Sequence, residues 1–272
     1  MDLRPSLLIM LAASCAVPMW AQLPFYTDDP SVTEPGKFHF EFFNEFDFLQ
    51  DSQFPNLRQN TVNYKLNYGL PHSLELDVDS PYLAIFRAFG NAPVGVGDTN
   101  LGMKWSFHKE SEAASLPAMS TSMYIEFPTG DARQGLGSGL TDYWLNFIAQ
   151  HSFSKKTSRI TANLGIVFAG NTSTGVLGVQ TNRGRVYTGG LSLLHDFSEK
   201  LTLGAELYGG VSRTRELGRS QLQAMIGGQY TIRDGLAVTF GLLGGKYFAT
   251  PRIGMQTGFA VDLPAVWQSV QK

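Results

Sequence analysis

The stretch KFHFEFFNEFDFL, residues 37–49, decides the fold class of this chain. Phenylalanine occupies alternate positions, and charged side chains lie between them on the opposite parity, in the two sets Phe38, Phe40, Phe42, Phe46, Phe48 and His39, Glu41, Glu45, Asp47. A period of two residues is typical of a β-strand whose two faces meet different surroundings. Because a row of exposed phenylalanines would make a strand prone to aggregate, the sequence predicts a permanent apolar cover for that face.

The same alternation recurs along the chain. Apolar and polar residues alternate in LRQNTVNYKLNYGL (57–70), SLELDVDS (73–80), NLGMKWSF (100–107), MSTSMYIEF (119–127) and RITANLGIVF (159–168). In TDYWLNFIAQH (141–151) the pattern is blurred, because Trp144 and Ile148 fall on the polar parity. With five further segments in the second half of the chain, the sequence predicts about twelve strands, an even number that single-chain bacterial barrels use.

The connections between these strands alternate in length. Short polar connections at 70–71, 153–157, 197–200 and 232–235 are interleaved with longer or glycine-rich ones at 50–56, 81–97, 128–139, 170–184, 212–219 and 247–251. The longer 108–117 is the exception on the short side. Short turns on one rim and long loops on the other indicate an all-β fold, a single transmembrane up-and-down antiparallel β-barrel of about 12 strands.

A lipid cover is the interpretation that explains the alternation. In a membrane barrel the apolar face of every strand meets hydrocarbon, and closure satisfies the backbone hydrogen-bonding groups. A soluble secreted β-sandwich or lipocalin-like barrel is the rival, but its core cannot be built from the many Gly, Ser, Thr, Asn and Gln residues on the inward parity. We therefore expect the bacterial outer membrane as the location, with outer-membrane lipid and the barrel-assembly machinery as partners.

The first residues predict a signal peptide over residues 1–21. An apolar run from Leu7 to Val17 precedes small residues and a cleavage point after Ala21. The run is too short to span a bilayer comfortably as a helix, which argues against the alternative of an N-terminal membrane anchor. Cys15, the one cysteine, lies inside this stretch, so the mature chain would hold no disulfide and no thiol nucleophile.

The remaining chain divides into three predicted parts. Residues 22–36, which contain the proline-rich and acidic PFYTDDPSVTEPG, are expected to form an N-terminal periplasmic or plug-like segment. Residues 37–263 are expected to form the transmembrane barrel, and residues 264–272 a C-terminal tail.

Composition and motifs argue against most kinds of chemistry. A chain of 272 residues with 43% hydrophobic residues, 16% charged residues and a net charge of -2 is neither disordered nor basic enough for a nucleic-acid binder. The stretch GVGDTNLG (95–102) fails the dinucleotide-binding pattern because Asn100 stands where the third glycine belongs. The histidines lack the close spacing of a metal site. We expect no catalytic residue, no cofactor, no metal and no nucleic-acid partner, and hence no enzyme.

The candidate functional residues are those expected to line the lumen. We expect a lumen lining or solute path formed by Glu41, Phe43, Glu45, Asp47, Lys65, Glu75, Asp77, Asp79, Lys104, Arg159 and Arg185. Phe43 is out of phase with its neighbours and is either a constriction or an error in the register. Two interpretations remain open for the charges: an ion-pair network that fills a narrow barrel, or a selectivity lining for a small-molecule solute.

Several short motifs together resemble a known family. The motifs are PFYTDDP (24–30), EPG (34–36), YGL (68–70), GVGDTNLGMK (95–104), PTGD (128–131) and GLGSG (135–139). In this order they resemble the bacterial outer-membrane family called Putative MetA-pathway of phenol degradation. The resemblance implies a Gram-negative, transporter-like barrel without catalytic residues. The expected function is therefore a channel or transporter for small solutes, aromatic or hydrophobic ones among them; the alternative is a structural or surface-interaction barrel with a charge-filled, closed lumen.

Overall fold

The computed structural model describes residues 24–111, 116–153, 156–169, 183–214 and 220–263. The predictions of a signal peptide and of a C-terminal tail lie outside these residues. No helix in these ranges is long and apolar enough to cross a membrane. Within them the chain forms one-turn 3-10 helices at Asp51–Gln53 and Pro71–Ser73 and the β-strands β1 (Phe38–Phe48), β2 (Asn56–Leu70), β3 (Leu74–Arg87), β4 (Val94–Val96), β5 (Thr99–His108), β6 (Ala118–Phe127), β7 (Asp142–Phe153), β8 (Ser158–Ala169), β9 (Gly184–Asp196), β10 (Leu201–Ser212), β11 (Ser220–Arg233), β12 (Leu236–Lys246) and β13 (Ile253–Leu263).

The strands close into a barrel. Each long strand pairs antiparallel with its neighbours, and β1 pairs with both β2 and β13, which joins the last strand to the first. The short β4 pairs only with β3, so the barrel wall itself contains twelve strands. Closure therefore leaves neither the first nor the last strand as a free sheet edge in the described part of the chain. The predicted up-and-down barrel of about 12 strands is confirmed.

The opening stretch lies in β1 with the predicted parity. Outside, the ring of Phe42 stacks on Phe259 with centroids 5.2 Å apart. Inside, Glu45 and Asp47 are buried. Phe43 also faces the inside, where it lines an internal cavity, so its odd place in the pattern is not an error in the register. Since large apolar side chains remain exposed around the outer wall, the cover that the phenylalanines need is lipid.

The blurred pattern in β7 reflects an apolar patch inside the barrel. Ile148 is fully buried, and Trp144 packs against Val167 and Val186, which are themselves fully buried. These two pattern breaks are therefore genuine inward-facing apolar residues rather than a shift in register.

One predicted loop, 81–97, is partly wrong. Strand β3 continues through Pro81 to Arg87, and β4 lies within the same range. The physical reason is the position of the proline: pairing of β3 with β5 ends at Asp79 and Asn100, so the missing N–H of Pro81 falls where that ladder has already stopped. Such a proline does not end the strand, because the other side of β3 remains paired with β2.

The two rims of the barrel differ. The connections after β2, β7, β9 and β11 are short, whereas those after β1, β3, β6 and β12 are longer, and the connection after β5 is the predicted exception. In outer-membrane barrels the short turns face the periplasm and the long loops face the outside. We name the two ends the periplasmic rim and the extracellular rim accordingly; both Phe38 and Leu263 lie at the periplasmic rim.

Candidate functional site

Residues 24–36, called here the N-terminal segment, enter the lumen at the periplasmic rim. Pro35 forms a parallel bridge with Gly69 at the end of β2, and the N–H of Gly36 donates to the carbonyl of Gly69 at 2.8 Å. A Cβ at position 69 would lie 2.1 Å from the backbone oxygen of Glu34. Only glycine therefore lets the N-terminal segment pass so close to the wall.

Two predicted lumen residues anchor the N-terminal segment to the wall. The backbone N–H and the hydroxyl of Thr33 both donate to Glu75 Oε2 at 2.6 Å. Lys104 Nζ donates to Asp28 Oδ1 at 3.0 Å and lies 3.5 Å from Glu75 Oε1. Glu75 and Lys104 are both buried, so these contacts form away from bulk water. The segment and the wall thus share one ion-pair cluster.

Further toward its beginning, the N-terminal segment crosses the lumen. The hydroxyl of Tyr26 donates to Glu45 Oε1 at 2.8 Å. The N–H of Thr27 donates to Glu206 Oε2 on β10. The segment therefore contacts carboxylates on both β1 and β10, which lie on different sides of the barrel.

An apolar contact holds the far end of the N-terminal segment. Phe25 packs with Met225 of β11 and Leu243 of β12, and all three side chains are buried. The rings of Tyr26 and Tyr208 stack with centroids 5.7 Å apart. The segment thus runs from β2 and β3 across the lumen to β10, β11 and β12.

A charged wall stands beside this segment. In the strand register, Lys65 of β2 lies between Glu41 of β1 and Asp79 of β3. The amide of Asn100 donates to Asp79 at 2.9 Å. This arrangement brings together acids and a lysine that were predicted to share the lumen, and it satisfies the rule that buried charges need partners.

Three further predicted lumen residues, Asp77, Asp47 and Arg159, are also buried inside the barrel. Asp77 accepts a hydrogen bond from the hydroxyl of Tyr124 at 3.1 Å, and Asp47 is buried near the extracellular end of β1. Arg159 faces inward at the periplasmic rim and pairs with Asp196 at 2.8 Å, apart from the N-terminal segment.

The prediction for Arg185 is wrong. Its side chain is exposed on the outer face of β9, with the guanidinium 5.8 Å from the ring centre of Phe168, while Val186 and Thr188 on the opposite parity are buried inside. Near a rim, a long arginine side chain can cover an outward aromatic ring and keep its charge in water. Arg185 is therefore stable on the outer face of the barrel.

An internal cavity of about 310 Å³ lies on the extracellular side of the N-terminal segment. Its floor includes Phe25, Tyr26 and Asp28 of the segment, and Phe43 lies in its wall. Further lining comes from Pro81 and other residues in the extracellular halves of the strands. The cavity is therefore a chamber between the segment and the extracellular rim.

A loop over residues 128–139, called here the 128–139 loop, is fixed at this chamber by Asp98. The carboxylate of Asp98 accepts hydrogen bonds from the backbone N–H of Gly130 at 3.0 Å and of Ser138 at 2.6 Å. Burial raises the pKa of the Asp98 carboxyl above its ordinary value, although these two N–H groups favour the charged form. A Cβ at Gly137 would lie 2.2 Å from Asp98 Oδ1, so glycine is needed for this close approach.

The same loop places an apolar side chain over the upper wall. Leu136 is buried against Leu83 and Ile85, which are inward residues of β3 near the extracellular rim. Residues 136–138 of the 128–139 loop are therefore buried against the wall near the chamber, whereas residues 131–134 are exposed.

Sequence patterns missed several polar residues of the lumen. Glu206 and Gln256 lie on the polar parity of β10 and β13, so that parity was a usable signal. Asp98 gave a weaker signal, because an acid in a glycine-rich loop has no strand period. Among the residues that the structure describes, no group of three or more His, Cys, Asp or Glu is placed to hold a metal ion.

Solved structures similar to this chain are outer-membrane barrels. The COG4313 outer membrane channel from Pseudomonas putida F1 is 11% identical with a TM-score of 0.64, over 86% of this chain and 98% of that one. The NanC porin is 7% identical with a TM-score of 0.58, over 82% and 98%. The KdgM porin, solved in complex with disordered oligogalacturonate, is 8% identical with a TM-score of 0.54, over 82% and 98%. At these identities the likeness is one of fold.

The family comparison covers most of the barrel and part of the N-terminal segment. The family described as Putative MetA-pathway of phenol degradation matches residues 27–263. No curated protein matches the chain. The match includes Asp28, Asp98 and Lys104, which fix the segment and the 128–139 loop in place. The chain therefore belongs to the family Putative MetA-pathway of phenol degradation and is an outer-membrane β-barrel.

Proposed function

We propose that the protein is an outer-membrane channel for small solutes, and that its N-terminal segment closes the lumen at rest. The observation that carries this proposal is the chamber of about 310 Å³ whose floor is the segment itself. The floor of this chamber is a segment without regular secondary structure, whereas in a closed barrel the lumen would be filled by side chains of the wall. The chamber could hold a solute, and movement of the N-terminal segment would let that solute pass through the lumen.

The N-terminal segment is attached in a way that permits movement. Residues 24–34 form neither a helix nor a strand, and within the described residues the bridge between Pro35 and Gly69 is the one β-type pairing of the N-terminal segment. Withdrawing residues 24–34 would break side-chain contacts such as the Lys104–Asp28 pair but none of the pairings that close the barrel. The wall therefore supports itself while the segment moves.

We further propose small solutes with aromatic or hydrophobic parts. Apolar and aromatic side chains accompany the charges in the chamber, among them Phe43, Leu83, Trp144 and Tyr208. Mixed linings of this kind are typical of ligand sites, where apolar surface supplies affinity and a few polar groups supply orientation.

The alternative function is a closed barrel that serves structure or surface interaction. The buried cluster of Asp28, Glu75 and Lys104 favours it, because ion pairs of this kind can fill a narrow lumen permanently. At the extracellular rim, the exposed rings of Phe54 and Phe89 meet edge to face with centroids 5.6 Å apart. Exposed apolar groups at such a position suit contact with another molecule.

Conductance and uptake separate the two functions. Purified protein is inserted into planar bilayers and, in parallel, into liposomes that are challenged with small aromatic solutes. The channel function predicts discrete current steps and faster uptake than in protein-free liposomes. Protein that is correctly folded yet electrically silent, with uptake equal to that of protein-free liposomes, would support the closed barrel instead.

A further inference from the structure

The chamber carries an excess of negative charge. Its lining contains one lysine, Lys65, and six carboxyl groups, those of Asp28, Glu41, Glu45, Asp79, Asp98 and Glu126. Asp28 is paired with Lys104, which lies just beside the chamber. Counting that lysine and also His39, whose Nε2 lies 3.2 Å from Glu41 Oε1, six acids face three basic groups. A narrow space with one sign of charge and walls of low polarity concentrates ions of the opposite sign.

Aromatic rings surround these acids. The rings of Phe25, Tyr26, Phe43, Tyr124, Trp144 and Tyr208 line the same chamber. The face of an aromatic ring attracts a cation, and the attraction grows when water is excluded. Rings and carboxylates in one chamber therefore favour a ligand that is both positively charged and apolar.

A separate observation concerns Gln256. This side chain is 2% exposed and lines the chamber, and its Nε2 donates to Glu45 Oε2 at 2.8 Å, which fixes the orientation of the amide. Its Oε1 is buried and has no hydrogen-bond partner among the described residues. A buried acceptor without a partner is costly, and a ligand with an N–H group would satisfy it.

From the acids, the rings and this acceptor we infer that the chamber binds small organic monocations with a flat apolar body, such as a protonated arylalkylamine. The ammonium group would lie among the carboxylates, and the ring would pack on the aromatic walls. The inference rests on the proposed function only in that the chamber lies on the proposed solute path. It adds the sign of the charge that the solute carries.

Equilibrium binding tests the inference without requiring transport. Titration calorimetry of the full chain in detergent micelles at pH 7 compares phenethylammonium, 2-phenylethanol and phenylacetate, which share a ring and differ in charge. We expect phenethylammonium to bind at least about tenfold more tightly than the neutral alcohol, and phenylacetate to show no binding. Raising the salt concentration should weaken binding of the amine and leave the alcohol unchanged.

Two variants and one control locate the site. Asp79 is half-buried in the chamber wall, and Asp79→Asn keeps its shape and its contact with Asn100 while removing the charge. Phe43→Leu removes one ring instead, so it tests the site even if the first variant folds poorly. Each should weaken amine binding by about threefold or more. The control Glu199→Gln, which changes an exposed carboxylate at the periplasmic rim, should leave amine binding unchanged.

The outcomes separate this inference from the channel function. Equal affinity for all three ligands, or absence of amine binding, would overturn the cation site, whether or not the protein conducts. Preferential amine binding that survives both chamber variants would also overturn it, because the ligand would then bind elsewhere. Binding with the expected charge preference in a protein that never conducts would leave the site standing and contradict the channel.

Discussion

Lys104 Nζ lies 3.0 Å from Asp28 Oδ1, and this contact joins the barrel wall to a segment 76 positions earlier in the chain. Both side chains are buried. A buried ion pair is weak support for overall stability, but removing one partner is strongly unfavourable because the other charge stays buried. The pair therefore anchors the N-terminal segment to the barrel wall.

Loss of the Lys104–Asp28 ion pair should make the lumen open more often. Lys104→Met removes the cation from Asp28 and Glu75, and the two carboxylates then repel each other. We expect the N-terminal segment to lose about 3 kcal/mol of anchoring and the open probability in planar bilayers to rise. Lys200→Met, which changes an exposed lysine at the periplasmic rim, is the matched control. An open probability equal to that of the wild type would show that the pair does not hold the segment.

Bulk at Gly69 should push the segment away from the wall. In Gly69→Val the new Cβ would lie 2.1 Å from the oxygen of Glu34, which is backbone and cannot step aside cheaply. We expect faster hydrogen exchange across the N-terminal segment while the strands stay protected. Gly189→Ala is the comparison, because the nearest atom to its added Cβ is 3.8 Å away. Wild-type exchange rates in the valine variant would be incompatible with the close approach described here.

The 128–139 loop should detach when Asp98 is lost. Asp98→Ala leaves the N–H groups of Gly130 and Ser138 without their acceptor, and a hydrogen bond to a charged group contributes about 1.5–3 kcal/mol. Limited proteolysis should then cut within the loop at a far lower protease concentration than in the wild type. Asp51→Asn, at an exposed position on the same rim, should change nothing. Unaltered resistance of the alanine variant would contradict the role given to Asp98.

The stability cost of replacing an outward phenylalanine of β1 by arginine should depend on its depth in the membrane. Phe42 is outward and central in the strand, so Phe42→Arg places a charge near the middle of the bilayer and should cost about 2–4 kcal/mol of unfolding free energy. Phe38→Arg, at the periplasmic end, should cost about 0–1 kcal/mol. Urea unfolding in liposomes measures both. Equal costs at the two positions would mean that this face does not meet lipid hydrocarbon.

The strand period predicted most of the barrel because lipid and lumen impose opposite demands on alternate residues. Glu41, Phe43, Glu45 and Lys65 all face the lumen as that period requires. The failure at Arg185 has a different cause: it shares the parity of Tyr187 and Leu191, which face outward, so its charge and not the period suggested the lumen. Near a rim, a long side chain on the outer face can keep its charge in water.

Contacts of the N-terminal segment could not be predicted from the period. Residues 24–36 lack the alternation of a strand, and their partners on the barrel wall lie far away in sequence, as Thr33 and Glu75 illustrate. The family motifs nevertheless meet in space, since GVGDTNLGMK supplies both Asp98 for the 128–139 loop and Lys104 for the segment. The short glycine-rich motifs thus contain residues that hold the segment and the loop in place, but the partners of these residues are visible only in the folded structure.

A reversible cross-link between the N-terminal segment and the wall tests the central proposal most directly. An ideal Cβ at Gly190 lies 3.4 Å from the Cβ of Thr27, close to the separation of about 3.5–4.5 Å found in disulfides. The only cysteine of the chain, Cys15, lies in the predicted signal peptide, so Thr27→Cys with Gly190→Cys gives a defined pair. The single variants control for each new side chain, including contact of residue 190 with the ring of Tyr208.

Solute uptake into liposomes is then measured for the double variant in its oxidised and reduced forms. If the N-terminal segment closes the channel, the oxidised protein admits no solute and reduction restores the rate of the single variants. Equal uptake in the two forms, with the disulfide verified by mass spectrometry, would contradict the proposal that movement of this segment opens the barrel.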